Sequence, residues 1–103
     1  MMMPNTRFQS AFHSDCALAR DLGAVVRRLR ENKSWSQEAL AERANLNRSY
    51  IGELERGEAI ASILTLEKLA HAFGLSVSHL VEQAERLTKA QTVTGIELTS
   101  IAC

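Results

Sequence analysis

The chain has 103 residues, 46% of them hydrophobic and 5% aromatic, with one proline and five glycines. That is enough chain to bury one core without metal or disulfide support, and the apolar content excludes a disordered polymer. The 12 Lys/Arg and 12 Asp/Glu cancel, which by itself argues against a nucleic-acid partner, and no apolar run approaches the ~18 residues of a membrane span.

Residues 1–14 (MMMPNTRFQSAFHS) lack a clear period, so a flexible N-terminal segment is expected. Phe8 and Phe12, four apart, can form one turn against the body. The first helix is predicted over 15–33, with Leu18, Leu22, Val25, Val26 and Leu29 as its apolar stripe. Ser34 to Ser36 is a break, and Ser36 is a good N-cap for a second helix over 37–44. Asn47 caps a third helix running to Arg56, and Gly57 supplies its left-handed stop. Ser62 caps a fourth helix over 63–73, with Ile63, Leu66, Leu69, Ala70 and Phe73 inward, ended by Gly74. Ser76 or Ser78 caps a fifth, reaching 87–90, with Val77, Leu80, Val81 and Ala84 inward. From Gln91 the composition shifts to Thr, Val and Ile in rough alternation, which predicts a short strand or extended arm. In a helical chain, such an arm is either disordered or pairs with the same strand of a second subunit.

The second and third helices form one unit, QEALAERANLNRSYIGELER. Leu40, Ala44, Leu46, Ile51 and Leu54 are apolar, and Ala41 is small where two helix axes cross closely. Asn45 falls at the turn, where φ is positive and Asn is tolerated better than any residue except Gly. This is the pattern of a helix-turn-helix, whose second helix enters the DNA major groove.

The charge distribution agrees with that reading. Residues 1–56 hold nine Lys/Arg and seven Asp/Glu, a net of +2, and residues 57–103 a net of −2. Arg20, Arg27, Arg28, Arg30 and Lys33 stand against Asp21 and Glu31. The positive half is thus the half with the helix-turn-helix. Cys16 and Cys103 are expected to be reduced thiols, and without a signal-peptide pattern a cytoplasmic protein is expected.

Four elements at their spacings carry a family resemblance: Ser36-Gln37-Glu38, Arg48-Ser49-Tyr50-Ile51, Glu55-Arg56-Gly57 and Leu66-Glu67-Lys68-Leu69-Ala70. Over about residues 20–85 the chain resembles the Cro/C1-type, or XRE-type, helix-turn-helix family of bacterial and phage repressors. It shares Arg-Ser-Tyr-Ile and Glu-Arg-Gly with small restriction–modification controller proteins. The resemblance implies an all-α, five-helix lambda-repressor-like DNA-binding domain over 15–90, with 91–103 as a short C-terminal extension. Gly52 departs from the pattern, since Ser is commoner there, as do Asn45 at the turn, Ala59 and Ala61.

In a helix-turn-helix the N-terminal turn of the second helix meets base edges. Arg48 can donate two parallel bonds to guanine. Ser49, Tyr50 and Glu53 share its neighbourhood as base-contact candidates, Glu53 through cytosine N4. Phosphate contacts are expected from Gln37, which also braces Arg48, and from Asn47, Arg27, Arg28 and Arg43. The resemblance further implies a structural ion pair between Arg30 and Glu55.

One subunit reads only ~4–6 base pairs, so a two-fold dimer on a palindromic operator is expected. Leu75, Val77, Leu80, Val81 and Leu87 are its candidate surface, with the tail as a possible arm. The predicted function is a sequence-specific transcriptional regulator, a repressor or autoregulatory controller, with double-stranded DNA and a second copy as partners and a polymerase or toxin as a further one. The alternative is an antitoxin-type interaction module that also binds its own operator. His13, His71 and His79 are scattered, with no nucleophile–base pair or metal-ligand spacing, so no enzyme, metal or cofactor is expected.

Overall fold

The computed structural model describes residues 17–95, and they form five α-helices: α1 (Ala17–Asn32), α2 (Gln37–Ala44), α3 (Arg48–Glu55), α4 (Ile63–Phe73) and α5 (Val77–Gly95). No strand occurs among the described residues. α5 runs past its predicted end, so 91–95, expected as the start of a strand or arm, are helical. The alternation of Thr and Val there is overridden by continuation of an established helix, which adds one hydrogen bond per residue fixed. Residues 96–103, the segment with Phe8 and Phe12, and both cysteines lie outside the described residues.

The helix boundaries follow from local chemistry. The side chains of Ser36, Asn47 and Ser62 accept bonds from the amides of Ala39, Ser49 and Thr65 at 2.9, 2.7 and 3.0 Å. Ser76 does the same for His79 at 3.0 Å, which settles the choice between Ser76 and Ser78. The first four helices share one ending. Ser34, Asn45, Gly57 and Gly74 take left-handed φ of 61°, 57°, 77° and 74°. The next amide then reaches back five residues, as from Trp35 to Arg30 at 3.1 Å and from Leu46 to Ala41 at 2.8 Å. This is the Schellman motif, which satisfies carbonyls that the helix end leaves free. Ser34 is the member that composition does not announce.

The core takes side chains from every helix. Val25, Val26, Leu40, Ile51, Leu54, Leu69 and Leu80 are the large side chains almost wholly buried. Two residues predicted inward are out: Leu18 is 37% exposed and Ile63 69%. They are the second residue of α1 and the first of α4, where an apolar stripe outruns the neighbours that could cover it. Leu80, predicted for the dimer surface, has no exposed area and belongs to the core of its own chain, because its face of α5 is the one turned inward.

α1 is the spine that places the α2–α3 pair. Its Gly23 meets the backbone of Leu54 and Glu55 at the end of α3, where a Cβ would overlap the Leu54 carbonyl oxygen. Its other side holds α5: Thr88 Oγ1 donates to the buried Asp21 carboxylate at 2.7 Å.

Candidate DNA-binding interface

α3 is eight residues long, too short to be stable alone. Ile51 and Leu54 seat it in the core, and a polar network fixes its C-terminal end. Arg30 of α1 donates to both carboxylate oxygens of Glu55, from Nε to Oε2 at 2.7 Å and from Nη2 to Oε1 at 3.0 Å. Arg30 Nη1 donates to the Trp35 carbonyl at 2.9 Å. Gln37 Nε2, at the start of α2, donates to Glu55 Oε1 at 3.0 Å. The ion-pair side chains are only 12% and 4% exposed. The fork geometry satisfies both charges, which makes burying them tolerable. The bond to Glu55 raises the Arg30 pKa, against the opposing pull of burial.

The network therefore joins α1, the α1–α2 turn, α2 and α3. It contains the expected Arg30–Glu55 pair and adds Gln37 to it. The expected brace between Gln37 and Arg48 is not what holds the Gln37 amide, because Glu55 takes it. Arg48, Ser49 and Glu53 are exposed on α3. Arg48 makes no hydrogen bond or ion pair among the described residues. Asn47 is occupied as the N-cap. Tyr50 is half-buried, and its hydroxyl donates to the Ile60 carbonyl at 2.9 Å. That bond ties α3 to the loop before α4, so only the tyrosine ring remains for an outside contact.

The other basic candidates are dispersed. Arg27 is exposed and paired with Glu31 at 3.1 Å. Arg28 lies on the α5 side of α1, 3.4 Å from Gln83 Oε1, apart from the residues that gather around α3. Arg43 rests over the Trp35 ring at 4.4 Å, with Lys33 at 5.5 Å and Phe73 stacked on the ring at 5.9 Å. Sequence reasoning missed two participants: Trp35, which carries this cationic platform, and Gly23, which lets α1 approach the end of α3. Trp35, as the only tryptophan, is the one a sequence signal could have found.

No group of His, Cys, Asp and Glu among the described residues could hold a metal ion. No described helix is long and apolar enough to cross a membrane.

Comparison with known proteins agrees with this geometry. The helix-turn-helix family model matches residues 26–80, from the middle of α1 to the start of α5. The chain is 36% identical over 70 residues to the immunity repressor protein of Bacillus phage phi105, covering 68% of this chain and 49% of the relative. It thus spans about half the length of that repressor. The structure of the clp gene regulator ClgR from Corynebacterium glutamicum superposes with a TM-score of 0.71 at 31% identity, over 79% of this chain and 86% of that one. The restriction-modification controller protein C.AhdI from Aeromonas hydrophila superposes with a TM-score of 0.58 at 39% identity, over 60% of this chain and 94% of that one. The chain belongs to the XRE-type helix-turn-helix family of DNA-binding transcriptional regulators.

Proposed function

We propose that this protein is a sequence-specific repressor or autoregulatory controller that binds a palindromic operator as a homodimer, with α3 in the major groove. The observation that carries the reading is Arg48: an exposed, uncommitted guanidinium on the first turn of a helix whose far end is locked by Arg30, Glu55 and Gln37. A rigid mount and a free tip are what base readout needs. Arg48 and Ser49 read base edges, joined by the ring of Tyr50 and by Glu53 where a cytosine N4 faces it. Gln37, Asn47, Arg27 and Arg43 serve the phosphates, which set affinity and register but not sequence. The names of a phage immunity repressor and a restriction-modification controller among the relatives support repression and self-control.

A second copy supplies the other half-site. Among the described residues, the exposed large apolar side chains are Leu18, Ile60, Ile63 and Leu64. Leu18 and Ile60 line a recess of about 200 Å³ with Leu22, Leu66 and Val81. Of the residues expected at the dimer surface, Val81 opens on this recess, and Leu75, Val77 and Leu87 are partly buried against the core. The dimer surface therefore centres on the start of α4 and this recess, next to the loop that Tyr50 ties to α3.

Selection of duplexes from a random DNA pool by the purified chain tests the reading. The expected product is an inverted repeat with half-sites about one helical turn, ~34 Å, apart. Recovery of no enriched sequence, or of single unpaired sites, would overturn it.

A further inference from the structure

The apolar recess of about 200 Å³ lies where α1, the loop before α4, α4 and α5 meet. Leu18 and Leu22 line it from α1, Ile60 from the loop, Leu66 from α4 and Val81 from α5, and every other lining residue is alanine. Aliphatic walls of this size suit one phenyl ring, since an apolar cavity of about 150 Å³ holds benzene. Leu18 and Ile60 are 37% and 48% exposed, so apolar surface meets water there that a ring would cover.

Residues 1–16 join α1 at Ala17, one residue before Leu18. Phe12 is the large apolar side chain of that segment nearest to α1. Leu18 follows it by six residues, a reach of up to ~20 Å. His13, Ser14 and Asp15 between them are polar, and Ser and Asp favour the turn that sends the chain back. Residues 96–103 start farther away. α5 carries the chain from Ala84, in the recess, to Gly95, about 16 Å along its axis. A second copy could also bring a ring. A ring tethered this closely, however, acts at an effective concentration on the order of millimolar, above that of a separate chain in dilute solution.

We propose that the Phe12 side chain occupies this recess of its own chain, an intramolecular contact of the N-terminal segment with α1, α4 and α5. The ring packs on Leu18 and Ile60. Ile60 also presents its carbonyl to the Tyr50 hydroxyl at 2.9 Å, so the ring braces the loop to which α3 is tied. Ile63 and Leu64 lie outside the recess lining, and a second copy meets them beside a filled recess. The inference goes beyond DNA binding and dimerisation and requires neither.

The test is nuclear Overhauser contact between phenylalanine ring protons and the methyl groups of the full chain. Contacts from Phe12 to Leu18, Ile60 and Val81 are expected, and Phe12→Ser should abolish them. Phe12→Ser should also melt about 4–8 °C lower, the scale of partly burying one aromatic ring. A mixture of methyl-labelled and ring-labelled chains separates the sources, and no contact between differently labelled chains is expected. Absence of the contacts in the wild type overturns the proposal. So do contacts found only between chains, contacts to these methyls from Ile96, Leu98 or Ile101 instead, or a Phe12→Ser chain that melts as the wild type does. The same contacts are expected in an Ile63→Asp/Leu64→Asp chain. Their loss there sinks the Phe12 proposal. Their retention in a chain that still dimerises sinks only the assignment of the dimer surface.

Discussion

Gly23 on α1 lies directly against the Leu54 carbonyl at the end of α3, so closely that a Cβ at 23 would overlap that oxygen. The obstacle is backbone and cannot swing away as a side-chain tip can. Gly23→Ala should therefore push α3 off α1 despite alanine's better helix propensity. The expected cost is at least ~1–3 kcal/mol, as for overpacking a filled core. Urea denaturation measures it, and a variant as stable as wild type would contradict the close contact.

The Arg30–Glu55 pair behaves as a buried charge pair with both partners satisfied. Removing one partner strands the other, so Arg30→Met and Glu55→Leu should each cost about 3–5 kcal/mol. The double variant should cost much less than the sum, because no charge is stranded. Denaturant midpoints of the two singles and the double decide this. Simple additivity would show that the pair is uncoupled.

Arg48 and Gln37 should separate when binding is measured over a panel of operator variants. Arg48→Ala is expected to lose ~1–3 kcal/mol of discrimination at one base pair. Gln37→Ala should weaken binding to all sequences alike, through the phosphates and through the loosened Glu55 network. Unchanged base preference in the Arg48 variant would end the case for direct readout by that residue.

Ile63 and Leu64 are 69% and 58% exposed, and Leu80 is fully buried. An Ile63→Asp/Leu64→Asp chain should sediment as a monomer with nearly unchanged melting. Leu80→Ala should instead lose about 2–5 kcal/mol of folding stability through the cavity it leaves. The wild type should sediment as the proposed dimer, and a dimer retained in the Asp variant would move the interface elsewhere.

Local features were legible in the chain alone. Caps at Ser36, Asn47 and Ser62 and stops at Asn45, Gly57 and Gly74 are decided by bonds within a few residues, so they could be read without the fold. The buried faces of α2 and α3, and the exposure of Arg48 and Ser49 at a helix start, follow from period and cap together. The Arg30–Glu55 pair, 25 residues apart, was legible only through the family pattern.

Whatever depends on where a second helix lies was settled by packing. The fold assigned the Gln37 amide to Glu55, turned Arg28 toward α5 and bonded the Tyr50 hydroxyl to the loop before α4. It buried Leu80, left Leu18 and Ile63 outside and set Gly23 against the backbone of α3. Periodicity names the apolar stripe of a helix but not which neighbour covers each part of it. A glycine looks the same in sequence whether or not a backbone fills the space beside it. Those choices are set among segments far apart in the chain, which meet only when the core closes.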